Sequence, residues 1–169
     1  PGQIFVTAGE SAPGLYLIVQ GTIELFTRDA AQREKVIDFA RVGDTLAAET
    51  LFGERAISYS ARSLTSASLI HLPDRLVGDW AARYPAFGRR LMQHVAQRID
   101  YLLKDMLTLR SKKATARLVC YLVCHFDKAP RTPDGTHSLQ IDIPKNRLAS
   151  RLGITDCHLS RALRELQDQ

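Results

Sequence analysis

The chain is poor in the features that mark disulfide-rich, secreted and membrane proteins. Its 169 residues include only three cysteines, Cys120, Cys124 and Cys157. This odd number, without a disulfide framework, fits a reducing cytoplasm. No apolar run approaches the roughly 18–20 residues that a membrane helix needs. We therefore expect a cytoplasmic protein with no membrane partner.

The motifs of the common enzyme classes are also missing. The sequence contains no glycine-rich phosphate loop, no Gly-x-Ser-x-Gly, no His-Glu-x-x-His and no Cys-x-x-Cys. Glu10, Glu24 and Glu49 fall in a region of β character with no histidine or nucleophile near them in the sequence. Cys120 and Cys124 lie one helical turn apart, and for this pair a small apolar role is favoured over a metal site. We therefore predict neither catalysis nor a bound metal.

The distribution of charge is more informative than the net charge of +5. Residues 1–84 carry a balance of −2, whereas residues 85–112 carry +4 and residues 113–169 carry +3. All of the excess positive charge therefore follows residue 84. Such an asymmetry favours a polyanionic partner, because neutralising phosphates releases counterions. A basic surface that serves only solubility is the alternative.

Residues 1–84 are rich in short strands with frequent turn signals. Residues 14–21 form a β-branched and aromatic run between two glycines, and residues 22–27 alternate apolar with polar side chains. Residues 35–40 are the candidate hairpin partner, and residues 66–72 end the series. This pattern predicts a compact barrel or roll as the first domain.

Residues 85–112 predict a long helix with an apolar seam. Six apolar side chains recur at alternating spacings of three and four residues: Met92, Val95, Ile99, Leu102, Met106 and Leu109. Such a pattern is typical of two helices that cross at a shallow angle, so we predict a homodimer interface along it. Leu91, Leu103 and Leu107 flank the seam and could cover the β domain. A single amphipathic helix that lies on its own domain is the alternative.

Residues 113–169 predict a small helical domain. Residues 114–126 have helical spacing, residues 128–137 form a loop rich in proline and glycine, and residues 139–143 alternate like a short strand. The strand pattern stops at Pro144, a residue suited to the first turn of the helix that follows.

Two short helices joined by a glycine turn close this domain. The first covers residues 145–152, and Gly153 supplies the permissive backbone of the turn. Ile154 is placed to fill the angle between the helices, and Thr155 is a suitable N-cap for the second. The predicted buried side chains are Leu148, Ala149 and Leu152 in the first helix and Leu159, Ala162, Leu163 and Leu166 in the second. This combination is typical of a helix-turn-helix.

The second helix of the motif exposes residues suited to reading DNA. The predicted contacts in this region are Thr155, Cys157, His158, Ser160, Arg161 and Arg164. Arg161 can give a guanine two parallel hydrogen bonds in the major groove. Lys145, Arg147 and Arg151 are predicted to contact the phosphate backbone, which positions the protein without reading sequence. A helical hairpin with a solvated basic face is the alternative.

Taken together, these features resemble the CRP/FNR superfamily of bacterial transcription regulators over nearly the whole chain. The segments that carry the resemblance are Phe5, Gly9 and Glu10, residues 14–23, Gly43 and Asp44, and residues 148–154 and 159–161. The resemblance implies an α+β fold with an N-terminal cyclic-nucleotide-binding-type β-roll, a long dimerisation helix and a C-terminal winged helix-turn-helix. It also implies an effector-controlled homodimer that reads a near-palindromic site on double-stranded DNA, with RNA polymerase as a further candidate partner.

The chain departs from this family at both ends and in the effector pocket. Relatives have more sequence before the first strand and a β wing after the second helix, so we expect a truncated DNA-binding domain without its wing. Relatives that bind cAMP carry Gly-Glu and then Arg-Ser, whereas this chain has Ala48 and Glu49 and then Ile57 and Ser58 as its candidate pocket residues. Isoleucine cannot make the charge-assisted bond to a cyclic phosphate, so cAMP is not expected.

The cysteines depart from two further patterns. Iron–sulfur relatives need four cysteine ligands, and three scattered cysteines do not supply them. Cys157 stands where many relatives have a glutamate, which accepts a hydrogen bond from cytosine N4. We therefore expect an altered half-site or a weaker preference at that base pair.

Residues 33–37, 45–52 and 112–116 are similar to the nitric-oxide-responsive branch that regulates dissimilatory nitrate respiration, which implies haem as a candidate cofactor. No local haem-attachment motif surrounds any of the five histidines, and each is better explained as a surface or core residue: His71, His94, His125, His137 and His158. The rival hypothesis to a DNA-reading regulator is a β-roll sensor module whose helices only mediate protein association.

Overall fold

The computed structural model describes residues 1–51, 56–111, 113–126 and 141–167. The chain divides into two compact units, Pro1–Asp100 and Tyr101–Gln169. This division falls inside one long helix rather than at residue 84 or 112, so the three-part division of the sequence analysis stays a prediction. None of the described helices is long and apolar enough to cross a membrane.

Two antiparallel sheets form most of the first unit. One has the strand order β1-β6-β3-β4 and the other the order β5-β2-β7. The strands are β1 (Ile4–Val6), β2 (Gly14–Gln20), β3 (Ile23–Arg28), β4 (Glu34–Ala40), β5 (Thr45–Leu46), β6 (Ser60–Ser63) and β7 (Ser68–Pro73). The four strands expected from alternating and β-branched sequence are therefore confirmed, with bounds that shift by one or two residues.

Short polar turns allow these strands to pair. The β3–β4 hairpin pairs Ile23 with Ala40 and closes through Asp29, whose carboxylate accepts hydrogen bonds from the backbone N–H groups of Ala31 and Arg33. The Arg33 side chain also donates to this carboxylate and is the main cause of its lowered pKa. The turn therefore satisfies its own backbone donors, as Asx turns do.

The core of the first unit lies among the strands. Its buried apolar side chains include Ile18, Ile23, Leu25, Leu46 and Ile57. Glu24 is buried with them, and Arg62 neutralises it while also binding Glu34 at 2.9 Å and lying 4.6 Å from the ring centroid of Phe26. A buried carboxylate needs such a partner, because desolvation of an unpaired charge is costly.

Two helices complete the first unit, and one of them was not expected. Helix α1 (Asp74–Arg83) follows β7 directly, and helix α2 (Pro85–Ser111) begins two residues later. Leu91 of α2 packs with Leu15 and Val77 in a second small cluster. Leu103 and Leu107 are exposed and belong to the second unit, so the expectation that they cover the β domain stays a prediction.

The second unit contains the end of α2 and three shorter helices, α3 (Ala114–Phe126), α4 (Lys145–Leu152) and α5 (Asp156–Gln167). These bounds confirm the predicted helices. The buried side chains include Leu118, Leu148, Leu152, Leu159 and Ala162. Residues 141–143 are not in a strand, contrary to the prediction for residues 139–143. The rest of that segment and the predicted loop over residues 128–137 lie outside the described residues.

Candidate nucleic-acid interface and sensor pocket

The turn between α4 and α5 has the geometry of a glycine cap. Gly153 is in the left-handed region with φ 64° and ψ 38°. Its N–H donates to the carbonyl of Ser150 at 3.1 Å, and the N–H of Ile154 donates to the carbonyl of Ala149 at 3.0 Å. A side chain at Gly153 would be strained at this φ, because L-residues rarely adopt it. The turn that the sequence predicted is therefore confirmed.

Arg117 of α3 fixes the same turn from the side. Its Nη1 donates to the carbonyl of Leu152 at 3.1 Å and to that of Gly153 at 3.4 Å. Carbonyls at the end of a helix lack partners within the helix, so a guanidinium there satisfies them and complements the helix dipole. Arg117 was not predicted from the sequence, because nothing in the local pattern shows that α3 passes beside this turn.

The start of α5 is capped as expected. The Thr155 hydroxyl accepts a hydrogen bond from the N–H of His158 at 3.3 Å and lies 3.1 Å from Nδ1 of the same side chain. The carboxylate of Asp156 lies in the first turn, where it complements the helix dipole. Leu159 and Ala162 are buried, so the opposite face of α5 is directed towards solvent.

The side chains predicted to contact bases occupy that opposite face. Thr155, Cys157, His158, Arg161 and Arg164 are exposed, and Ser160 is half-buried. Of the residues predicted to contact phosphate, Lys145 is exposed and Arg147 is half-buried. The exposed face of α5 is therefore basic at Arg161 and Arg164, and Lys145 adds an exposed cation on α4.

Arg151 does not belong to this accessible face. Its side chain is 1% exposed, and its Nη2 lies 2.9 Å from Oδ1 of Asp105 on α2 and 3.5 Å from the Tyr101 hydroxyl. A guanidinium in this position holds the first helix of the motif against the end of α2. The prediction that Arg151 contacts phosphate is therefore wrong. Sequence alone gave no sign of its partner, which lies 46 residues earlier.

Most of the apolar seam of α2 is accessible. Met92, Ile99, Leu102 and Met106 are 61, 54, 40 and 46% exposed, and Val95 and Leu109 are half-buried. Large apolar side chains at this exposure and spacing are typical of an interface rather than of a solvated helix. Polar side chains of α2 beside the seam contact the strands of the same unit. Arg98 forms a 2.7 Å ion pair with buried Asp38, and His94 Nε2 lies 3.0 Å from the Thr45 hydroxyl.

The predicted effector positions do not form a phosphate site. Ile57 is 2% exposed and packs in the core, while Ala48 is half-buried and Glu49 and Ser58 are exposed. The N–H of Ala47, a residue with φ 61°, donates to the Tyr59 hydroxyl at 2.9 Å. The Tyr59 hydroxyl therefore already accepts the hydrogen bond of the Ala47 N–H.

Tyr59 was missed by the sequence analysis. Burial and the neighbouring charge of Glu49 raise the pKa of its phenol well above the ordinary value. The phenol is therefore neutral at physiological pH.

The described histidines do not fit an axial haem ligand. The ring of His71 packs on Tyr16 with centroids 4.8 Å apart, and the rings of His94 and His158 each contact a threonine hydroxyl. The other two histidine side chains lie outside the described residues. Among the described residues, no three His, Cys, Asp or Glu side chains come together as a metal site.

Comparison with known proteins agrees with this fold. Residues 1–84 match the family model of the cyclic nucleotide-binding domain. The structure of FixK2 from Bradyrhizobium japonicum matches with a TM-score of 0.84 at 20% identity, over 99% of this chain and 81% of that one. The chain has the fold of the CRP/FNR regulators. The α+β architecture predicted from the sequence is therefore confirmed.

Two sequence relatives extend over the whole chain. It is 24% identical over 167 residues to the HTH-type transcriptional regulator Cmr of Mycobacterium tuberculosis, covering 99% of this chain and 64% of that protein. It is 23% identical over 166 residues to the fumarate and nitrate reduction regulatory protein of Vibrio cholerae, covering 98% and 66%. The chain thus spans just under two thirds of the length of these curated relatives. Both are named as regulators and not as enzymes, which supports the resemblance to CRP/FNR transcription regulators.

Proposed function

We propose that this CRP/FNR-type chain is a transcription regulator that binds double-stranded DNA in a sequence-specific manner. The observation that carries the proposal is the α4–turn–α5 motif, in which the Gly153 cap and the buried Leu159 direct one face of α5 into solvent. The N-terminal residues of such a helix reach base edges in the major groove. A protein that reads DNA works where the DNA lies, so we also propose a cytoplasmic location.

The reading chemistry follows from the exposed side chains of α5. Arg161 is placed for a bidentate contact with guanine O6 and N7, and Ser160 suits either base class or a phosphate. Arg164 and Lys145 are exposed cations and are assigned to phosphates. Cys157 accepts hydrogen bonds poorly, so we expect a weak preference at the base pair beside it.

The seam of α2 is the proposed homodimer interface. Helix α2 has 27 residues and is about 40 Å long. In the proposed dimer, the two copies of α2 pack along this seam, and the two copies of α5 bind one DNA duplex. Half-sites of such dimers lie about 34–36 Å apart, so the preferred DNA sequence is expected to have two-fold symmetry. RNA polymerase is proposed as a further partner, because a regulator bound beside a promoter is close to that enzyme.

The effector is proposed to be a molecule other than cAMP. Buried Ile57 stands where a phosphate-binding arginine would be needed, and Tyr59 already uses the N–H of Ala47. A nitric oxide signal carried by haem rests on the resemblance of residues 33–37, 45–52 and 112–116 alone, because none of the described histidines fits an axial ligand. Purified protein that shows only the free-haem absorption spectrum after reconstitution would remove it.

Selection from random DNA duplexes tests the proposed function. The regulator is expected to return one sequence with two-fold symmetry, whereas a module that only mediates protein association returns none. Arg164→Ala should weaken binding to all sequences about equally and lower the salt dependence by about one phosphate contact. Arg75→Ala, an exposed arginine of α1, is the matched control and should leave binding unchanged.

A further inference from the structure

A small cavity in the second unit contains two thiols that the proposed DNA contacts do not use. Its volume is about 90 Å³, and it lies between the last turns of α2, one face of α3 and Leu152. Cys120 and Cys124 both line it, and both are free thiols. Cys157, the third cysteine, lies on the exposed face of α5 and does not line the cavity.

The helical spacing explains why both thiols reach one cavity. Residues 117, 120, 121 and 124 of α3 all line it, and these positions lie three or four residues apart on one helical face. On the facing side, residues 101, 104, 105, 108 and 109 of α2 repeat with the same period. The cavity is thus the space that the side chains of α2 and α3 leave unfilled between the two helices.

The distance between the thiols decides what chemistry suits them. Side chains one turn apart on a helix have Cβ atoms about 5–6 Å apart. A disulfide requires Cβ atoms about 3.5–4.5 Å apart, so a direct bond between Cys120 and Cys124 would distort α3. A soft centre with two bonds of about 2.3 Å to sulfur spans up to about 4.6 Å between the sulfurs, which the helix accommodates without distortion.

The other walls of the cavity select against hard cations. Arg117 and Lys104 bring positive charge, and the carboxylate of Asp105 is already bound to Arg151. Hard cations prefer several oxygen ligands, whereas thiolates select soft centres.

We propose that Cys120 and Cys124 form a two-thiolate site for a soft centre that bridges sulfurs, either trivalent arsenic or monovalent copper. With arsenous acid, two As–S bonds replace two As–O bonds, and two water molecules leave with the two thiol protons. With copper(I), two Cu–S bonds form and both thiol protons pass to solvent. Neither step changes an oxidation state.

The bound centre lies beside the contacts that hold the helix-turn-helix. Arg117 lines the cavity and donates to the carbonyls of Leu152 and Gly153, and Asp105 lines it and binds Arg151. The site itself does not depend on DNA binding, so its test can fail or succeed independently of the proposed function.

The test loads the chain with arsenite or with copper(I) under anaerobic conditions and counts free thiols by alkylation and intact mass. Wild type is expected to bind one centre per chain and to fall from three free thiols to one. Loss of either sulfur removes the chelate, so Cys120→Ser and Cys124→Ser should each weaken binding about 100-fold or more. Cys157→Ser is the matched control and should bind as tightly as wild type.

The two loading experiments show which centre the site takes. Binding of arsenite alone assigns a metalloid, and binding of copper(I) alone assigns a metal. Failure of both to bind would overturn the proposal. So would undiminished binding by either cavity variant, or loss of binding in Cys157→Ser. Alanine variants at the same positions, compared by circular dichroism, separate loss of a ligand from loss of the fold.

Discussion

Removing the carboxylate of Asp105 should loosen the helix-turn-helix, because a buried cation loses its partner on α2. Arg151 is 1% exposed and binds Asp105 at 2.9 Å, and the Tyr101 hydroxyl at 3.5 Å is a weak acceptor. Breaking a buried ion pair costs about 3–5 kcal/mol. The Asp105 side chain is 25% exposed, so water relieves part of this cost. We expect Asp105→Ala to lower the free energy of opening by about 3 kcal/mol, or about 150-fold in the opening equilibrium.

Amide hydrogen exchange measures this effect where it occurs. The amides of α4 and α5 should exchange about 100-fold faster in Asp105→Ala than in wild type, because exchange reports local opening. The strands of the first unit should keep their protection. Fluorescence of Trp80, the only tryptophan of the chain, gives an independent signal from that unit.

A second variant separates loss of the pair from loss of packing. Replacing both partners, Asp105→Leu with Arg151→Met, also removes the buried charge and should restore most of the protection. The reasoning is refuted if α4 in Asp105→Ala exchanges within about threefold of wild type, a change smaller than a typical hydrogen bond contributes. It is also refuted if the double variant is as open as the single one.

Three further changes test other parts of the molecule. Arg161→Ala should relax the preference at one base pair per half-site by about 1–3 kcal/mol, and selection that returns the wild-type consensus would contradict this assignment. Ile99→Glu combined with Leu102→Glu should convert a dimer to a monomer in light scattering, because it puts charges into the seam; an unchanged mass would mean that the seam is not the interface. Tyr59 has a raised pKa, so the folded state retains its phenol proton where the unfolded chain releases it. Its contribution to stability is therefore complete below about pH 10 and is lost above it. Tyr59→Phe should lose less stability than wild type between about pH 9 and 11 in urea titrations, and equal losses would exclude this cause.

The local elements were predictable because their signals lie within a few residues. Gly153 and Thr155 mark the turn and the cap of the helix-turn-helix through their own backbone and hydroxyl chemistry. The seam of α2 follows from spacing alone. Helix α1 was not predicted from the sequence, because it is short and adjoins the β region. Its start also lacks a side-chain hydrogen bond that would cap it.

The partners of charged side chains were not predictable in this way. Arg151 was assigned to phosphate because an arginine on the first helix of such a motif is a typical backbone contact. Its burial depends on Asp105, which a different helix supplies. Arg117 likewise acts on carbonyls 35 and 36 residues away along the chain. Spacing on one helix carries no information about which residue of another helix will face it.

By itself, the sequence determined the α+β plan, four of the described strands, the apolar seam and the helix-turn-helix, since periodicity and turn chemistry act over short stretches of chain. Tertiary structure alone decided which basic residues are accessible and which are structural, and it brought Cys120 and Cys124 into one cavity with Asp105 and Arg117. The physical reason is that burial and ion pairing depend on where distant segments meet, and only the packed chain specifies this.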